Sequence, residues 1–364
     1  MADWSSLLRP ELADLAAYVS ARHDGIRAHL DANEAPPLRS PRLREVVERA
    51  VARTALERYP DARASELRAR IAERTGARPE ELLIGTGSDE VIALVLTAMA
   101  RPRELAAQAV VLTPSPTFVM YRIAARAHGV RPVEVPLDSS WDLDVRAMAR
   151  AVEVVQPSVV FLASPNNPTG NRLSDDRVQS LLAVAGDALV VIDEAYVDFA
   201  GESRRSWRGR FPRLGIMRTL SKVGLAALRV GWLEADAALV GEVDKARAPF
   251  NVSATSQAIA ADVLSEAWPE IEANVRAIVS ERERVASEVR ALGGYDVAPS
   301  AANFLWIGTP QPAAAVSAEL LARGVLVRSF HAAGGRLANR VRVTTGARAD
   351  NDRFLEALRS LGSP

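Results

Sequence analysis

The chain predicts an α/β protein built on a mostly parallel sheet, followed by a small α+β domain. Three observations predict it. From Glu81 to about Leu233 short β-branched runs alternate with amphipathic helical stretches, the pattern of strand-helix units. The runs are apolar throughout instead of alternating, as in strands buried on both faces. Beyond about Asp236 the pattern changes to helices of increasing length and then to mixed strands and helices.

Taken in order, the first thirty residues carry Leu7, Leu8, Leu12, Leu15 and Ala16 at helical spacing, and read as an arm that leads into the proline-stiffened LDANEAPPL. Ser40-Pro41 opens a helix with Leu43, Val46, Val47, Ala50 and Val51 on one face, which Pro60 is expected to stop. A further helix is expected from about Ser65 to Gly76. The α/β region then reads LLIG, helix Ser88 to Ala100, AVVLT, helix Thr117 to His128, PVEVP, helix Asp144 to Val155, SVVFLAS, helix Ser174 to Ala185, ALVVID and LGIMRTL. A long helix from about Pro269 to Leu292 looks fit to bridge two domains. NFLWIG, GVLVR and RVRVTT then read as strands, with a helix from Ala313 to Arg323 between the first two and another from Asp350 to Leu361 at the end. The expected division is an arm (1–30), a large domain (31–255) and a small domain (256–364).

Composition narrows the function. The 364 residues suffice for two domains with an ample core, and 48% apolar with 25% charged residues is ordinary globular usage. Basic and acidic residues number 45 each, so there is no electrostatic case for nucleic acid or an anionic membrane. With no cysteine and four histidines, thiol chemistry is excluded and zinc or triad chemistry is disfavoured. No apolar run is long enough to cross a bilayer, and the expectation is a cytoplasmic protein.

Every unusual cluster falls just after a strand, where ligands sit in open α/β sheets. GTGSDE (Gly85 to Glu90) follows a strand and opens a helix, so the backbone N–H groups of Gly87, Ser88 and Asp89 can cradle a phosphate; an ordinary helix cap reads the same way. SPNNPTG (Ser164 to Gly170) is a rigid loop in which either X-Pro bond is a candidate cis bond and Asn167 a candidate donor to a ligand oxygen. DEAY ends a buried strand, and Asp193 there needs a partner. A cationic ring nitrogen suits it, with about 4 kcal/mol of gross attraction at ~4 Å and an effective dielectric of ~20. The alternative is a helix-capping aspartate. TLSKVGLAALRVGW places Lys222, in a chain where lysine is scarce, among small and apolar residues; desolvation makes such an amine nucleophilic, and a surface lysine is the plainer alternative.

The ordered set GTGSDE, PTFVMY, SPNNPTG, DEAY, TLSK with Arg229, and RVTTGAR resembles the fold-type-I, class I/II aminotransferases that use pyridoxal 5′-phosphate (PLP), most of all the histidinol-phosphate aminotransferases. The resemblance runs from LAAYVSAR and LDANEAP to GVLVR. It implies that Lys222 is the Schiff-base lysine and proton carrier, that Asp193 protonates the pyridine nitrogen, and that Tyr196 and Asn167 hold the phenolic oxygen while Phe118 stacks on the ring. It puts the phosphate among Gly87, Ser88, Asp89, Ser221 and Arg229, with Tyr59 reaching across from the second subunit of a homodimer. Arg342 would clamp a substrate carboxylate, and Tyr18, Asn33 and Arg328 are candidates for the distal substrate group. Two features depart from the family pattern: Arg229 follows Lys222 by seven residues where eight is common, which predicts a shortened turn around Gly224, and Phe118 stands where tyrosine is common.

The implied reaction takes histidinol phosphate and 2-oxoglutarate to imidazole acetol phosphate and glutamate. An aromatic or broad-range aminotransferase is the near alternative, a PLP decarboxylase or a non-catalytic ligand sensor a more distant one. A nucleotide-binding oxidoreductase is opposed by the absence of G-x-G-x-x-G after the first strand.

Overall fold

A computed structural model describes residues 7–12, 15, 25–103 and 108–361. Strand β1 (Ala28–Leu30) precedes helices α1 (Pro41–Ala52) and α2 (Ser65–Thr75). The α/β region follows as β2 (Leu82–Thr86), α3 (Gly87–Met99), β3 (Val110–Ser115), α4 (Met120–Ala127), β4 (Arg131–Pro136), α5 (Val145–Val155), β5 (Val159–Ala163), α6 (Asp175–Val184), β6 (Leu189–Asp193), α7 (Val197–Ala200), β7 (Leu214–Thr219) and β8 (Val230–Glu234). Helices α8 (Ala237–Asp244), α9 (Ala254–Asp262) and α10 (Trp268–Ala291) lead to β9 (Asp296–Val297), β10 (Phe304–Gly308), α11 (Ala313–Ala322), β11 (Val325–Ser329), β12 (Arg340–Thr344) and α12 (Arg348–Arg359).

The larger sheet has seven strands in the order β2-β8-β7-β6-β5-β3-β4. Strands β3 to β7 are mutually parallel, and β8 runs antiparallel to both β7 and β2. Apart from the edge strand β4, which is largely exposed, the apolar runs are buried on both faces, and β5 demonstrates it: Val159, Phe161 and Ala163 enter one core, Val160 and Leu162 the other. Full burial of each valine, leucine or phenylalanine among them contributes about 1.5–3 kcal/mol. The smaller sheet, β1-β11-β12-β10-β9, is antiparallel except where β1 joins β11 in parallel.

Local chemistry sets the helix ends. Ser40 caps α1 by accepting from Leu43 N–H with Pro41 in the first turn, and Asp144, Asp236 and Ser253 cap α5, α8 and α9 in the same way. Helix α1 stops at Ala52, well before Pro60, where the Thr54 hydroxyl bonds back to the Ala50 carbonyl. The 24-residue α10 packs on α7 and the Ser221–Leu225 turn on one side and on β9, β10 and α12 on the other.

Candidate active site

The lysine sits on the connection between β7 and β8. The Thr219 hydroxyl donates to the Val230 carbonyl at 2.9 Å and Leu220 N–H to the same oxygen at 3.0 Å, so the two ends of the connection are tied together. Between them Ser221–Leu225 form one wide π turn in which Gly224 takes φ +104°, a conformation open to glycine. A tight 3₁₀ turn, Ala226–Leu228, follows, and Arg229 reverses the chain at φ +51°. The expected shortening therefore falls after Gly224, while the turn at Gly224 itself is wide. Lys222 is half-buried, not fully buried, with Nζ 5.9 Å from the centre of the Tyr196 ring.

Arg229 reaches the start of α3. Its guanidinium lies 3.3 Å from the Asp89 carboxylate, and both side chains are 46% exposed, so the pair by itself contributes little. What brings the strand and the helix start together is glycine at two positions. Gly87 has φ +76°, and a Cβ there would lie 2.7 Å from the Arg229 guanidinium; a Cβ on Gly231 would lie 2.5 Å from the Ser88 nitrogen. The N-terminus of a 13-residue helix and the Arg229 guanidinium thus come together, an arrangement able to hold an anion. The Ser221 hydroxyl is 2.9 Å from that of Thr219.

Asp193 ends β6 and is 4% exposed. Its Oδ2 accepts from the Tyr121 hydroxyl at 2.6 Å and its Oδ1 from Ala195 N–H at 2.9 Å. Burial pushes its pKa up to about 6; the Tyr121 and Ala195 hydrogen bonds oppose the rise, Asp89 adds to it and Lys222 offsets it. Nothing in the sequence singles out Tyr121, although it closes the PTFVMY motif. Phe118, half-buried, meets the Tyr121 ring edge-on at 5.6 Å and 87°.

Tyr196 is buried, its hydroxyl accepting from Asn33 Nδ2 at 2.9 Å and its ring meeting Phe304 edge-on at 5.2 Å. Asn33 takes φ +57° and is held by Thr344 and Asn303, so its side chain is directed at Tyr196. In the SPNNPTG loop both X-Pro bonds are cis. Asn166 is buried, ties the loop to Thr117 and Pro116 and bonds Thr169 within it, while buried Arg204 braces it through Ser164 Oγ at 2.5 Å; neither brace is expected from sequence. Asn167 is half-buried, and its Oδ1 accepts from Arg342 at 2.6 Å. Arg342 also donates to the Asp31 carbonyl. Arg328 lies directly opposite Arg342 in the β11–β12 ladder and is exposed.

Lys222, Asp193, Tyr196, Asn167, Ser221, Arg229, Phe118 and the Gly87-Ser88-Asp89 turn thus follow successive strands of the larger sheet, and Asn33 and Arg342 meet them from the second sheet. Tyr59 has a different neighbour: 82% exposed, its ring stacks on Phe250 at 4.7 Å. Tyr18 lies outside the described residues. Among the described residues no group of three or more His, Asp or Glu side chains could hold a metal ion.

Residues 27–358 match the family aminotransferase class I and II, and the chain belongs to that family. Its relatives sharpen the comparison. Histidinol-phosphate aminotransferase 2 of Nitrosococcus oceani is 38% identical over 364 residues, 99% of this chain and 98% of the relative. Histidinol-phosphate aminotransferase 1 of Burkholderia mallei is 41% identical over 335 residues, 91% of each. Among solved structures, histidinol-phosphate aminotransferase from Sinorhizobium meliloti in complex with pyridoxal-5′-phosphate superposes with a TM-score of 0.82 at 25% identity, covering 98% of this chain and 99% of that one.

Proposed function

We propose that the protein is a PLP-dependent aminotransferase that converts histidinol phosphate and 2-oxoglutarate to imidazole acetol phosphate and glutamate. The observation that carries the reaction class is the convergence of a lysine, a buried carboxylate and an anion cradle at one end of the larger sheet. The substrate rests on the full-length similarity to histidinol-phosphate aminotransferases.

The residues fit the cofactor. The glycine-lined cradle at Gly87 and Gly231 has room for no side chain and offers backbone donors and Arg229 to a phosphate. Buried Asp193 supplies the counter-charge a protonated pyridine nitrogen requires. Once bound, the cofactor supplies an electron sink beside the substrate α-carbon. Asp193 keeps the ring nitrogen protonated. The Tyr196 oxygen already accepts from Asn33, which leaves its own proton to donate to the phenolic oxygen. Asn167 likewise presents its oxygen to Arg342 and keeps its Nδ2 hydrogens for the same acceptor. Phe118 packs against the ring face. Lys222 Nζ anchors the cofactor and, when freed, carries a proton from the substrate α-carbon.

Arg342 and Arg328 are the substrate-reading cations. The two stand opposite one another in the β11–β12 ladder, and guanidinium groups suit a substrate that carries a phosphate or carboxylate. Asn33 acts through Tyr196, and Tyr18 is part of the same reading as an arm residue near the distal group. The division into arm (1–30), large domain (31–255) and small domain (256–364) belongs to it as well, and the span of α10 supports it. So does a cytoplasmic homodimer in which Tyr59 reaches the partner's cradle. The exposed Tyr59–Phe250 stack supports that assembly, and none of the described helices is long and apolar enough to cross a membrane.

The test is a single-turnover titration. Histidinol phosphate should bleach the visible band of the purified holoenzyme and 2-oxoglutarate should restore it, while the Lys222→Ala protein forms no borohydride-sensitive band. A response to aromatic amino acids with none to histidinol phosphate would overturn the substrate. Light scattering that returns a monomer mass would overturn the dimer.

A further inference from the structure

We propose, on the reading of this site as a PLP site, that Tyr121 is a positioning residue: its hydroxyl holds the Asp193 carboxylate ionised and in one orientation for the ring nitrogen. The contact is 2.6 Å long, the length of a hydroxyl bound to a carboxylate. The other carboxylate oxygen has a backbone amide, Ala195 N–H, so the two donors fix the plane of the group and leave each oxygen a further lone pair.

Tyr121 is built to stay in place. Its ring is fully buried, stacked on Phe161 at 4.9 Å and 3° and met edge-on by Phe118 at 5.6 Å. Burial and the charge of Asp193 hold its phenol well above the ordinary tyrosine value, so it remains a donor at every working pH.

The other ionisable groups that act on this carboxylate and its tyrosine are Asp89 from the start of α3, Lys222 from the π turn and Tyr196 at the start of α7. Asp89 disfavours the carboxylate and Lys222 favours it. Lys222, however, exchanges protons during the reaction, and its charge is therefore not constant. Of the two side-chain contributions that favour the carboxylate, the Tyr121 hydrogen bond is the one that does not change as the reaction proceeds. Tyr121 thus also connects Phe118, at the ring face, to Asp193, at the ring nitrogen.

The experiment compares wild type, Tyr121→Phe, Asp193→Asn and the double variant as apoproteins titrated with PLP, and follows the visible band of each holoprotein against pH. Phenylalanine keeps the volume and both aromatic contacts, so the comparison isolates the hydroxyl. With Asp193 in place, Y121F should raise the PLP dissociation constant about tenfold or more and move the acid limb of the absorbance to higher pH, because a donor that favours the charged carboxylate is gone. In the Asp193→Asn background the same change should do nothing further. An unchanged dissociation constant and acid limb in Y121F, or an equal loss in both backgrounds, overturns the proposal. Failure of the wild type to bind PLP would instead strike the functional reading beneath it.

Discussion

The guanidinium of Arg342 donates to the Asn167 side-chain oxygen across 2.6 Å, so a strand of the smaller sheet meets a loop of the larger one. Arg342→Lys keeps the charge and loses the planar fork. It should lower kcat/KM about 10- to 100-fold, the scale of one charged hydrogen bond. Steady-state kinetics decide it, and an undiminished kcat/KM would remove Arg342 from substrate recognition.

Asn33→Ala removes the Tyr196 hydroxyl's donor and puts a Cβ residue without a local polar side chain at φ +57°. The expected loss is about 1–3 kcal/mol in urea denaturation. Asn33→Gly relieves the backbone and should recover only that part of the loss. Full recovery would mean that the amide contact contributes nothing.

Gly231 and Gly241 make a contrasting pair. A Cβ on Gly231 would lie 2.5 Å from the Ser88 nitrogen, whereas a Cβ on Gly241 meets nothing within 4 Å. Gly231→Ala should cost about 1–3 kcal/mol and weaken PLP binding, because strand and helix start must part. Gly241→Ala, within α8, should be neutral or stabilising by about 0.5–1 kcal/mol. Calorimetry and PLP titration of the two variants give the comparison; equal effects would refute the close-approach argument.

Two aspartates predict opposite slopes of stability against pH. Partial burial pushes the Asp138 carboxyl up, but hydrogen bonds from Arg177, Ser140 and Asp142 outweigh it and hold the group well below the ordinary carboxylate range. Its contribution is present above about pH 4 and fades as pH falls below that. The destabilisation in Asp138→Asn should accordingly be larger at pH 7 than at pH 3. Asp193, raised to about 6, does the reverse. The folded apoprotein holds a proton there that the unfolded chain has lost between about pH 4 and pH 6, so stability falls as pH rises through that window. Asp193→Asn should flatten this part of the apoprotein's stability profile, and an unaltered profile would show that the buried carboxyl does not titrate there.

The parallel strands are legible in the sequence because burial on both faces leaves continuous apolar runs, as in Val159–Ala163. So are the strand-end clusters, since glycine, proline and one of only two lysines in the chain mark backbone and chemistry directly. Strand Val230–Glu234 does not stand out in the same way, and its reversed direction is a property of pairing that no local pattern encodes. Tyr121 and Asn33 are harder still. A tyrosine inside an amphipathic helix reads as core, and only the fold brings it to Asp193; Asn33 reads as a polar loop residue until Thr344 and Asn303 turn it toward Tyr196. The seven-residue step from Lys222 to Arg229 is legible as a length but not as a wide turn followed by a tight one.

The hairpin that carries the lysine is tied to the sheet at both ends, Thr219 facing Gly231 in the ladder. Lys222 and Arg229 on that connection and Asp193 at the end of β6 thus all belong to the seven-stranded sheet. Arg342 and Arg328 ride on that second sheet. A swing of one sheet against the other would therefore resize the space for the substrate and leave the spacing of lysine, carboxylate and phosphate cradle untouched. On the proposed reading, changes on β11 shift substrate preference without touching the residues that hold the cofactor, whereas β12 carries Arg342 and Thr344, which brace Asn167 and Asn33.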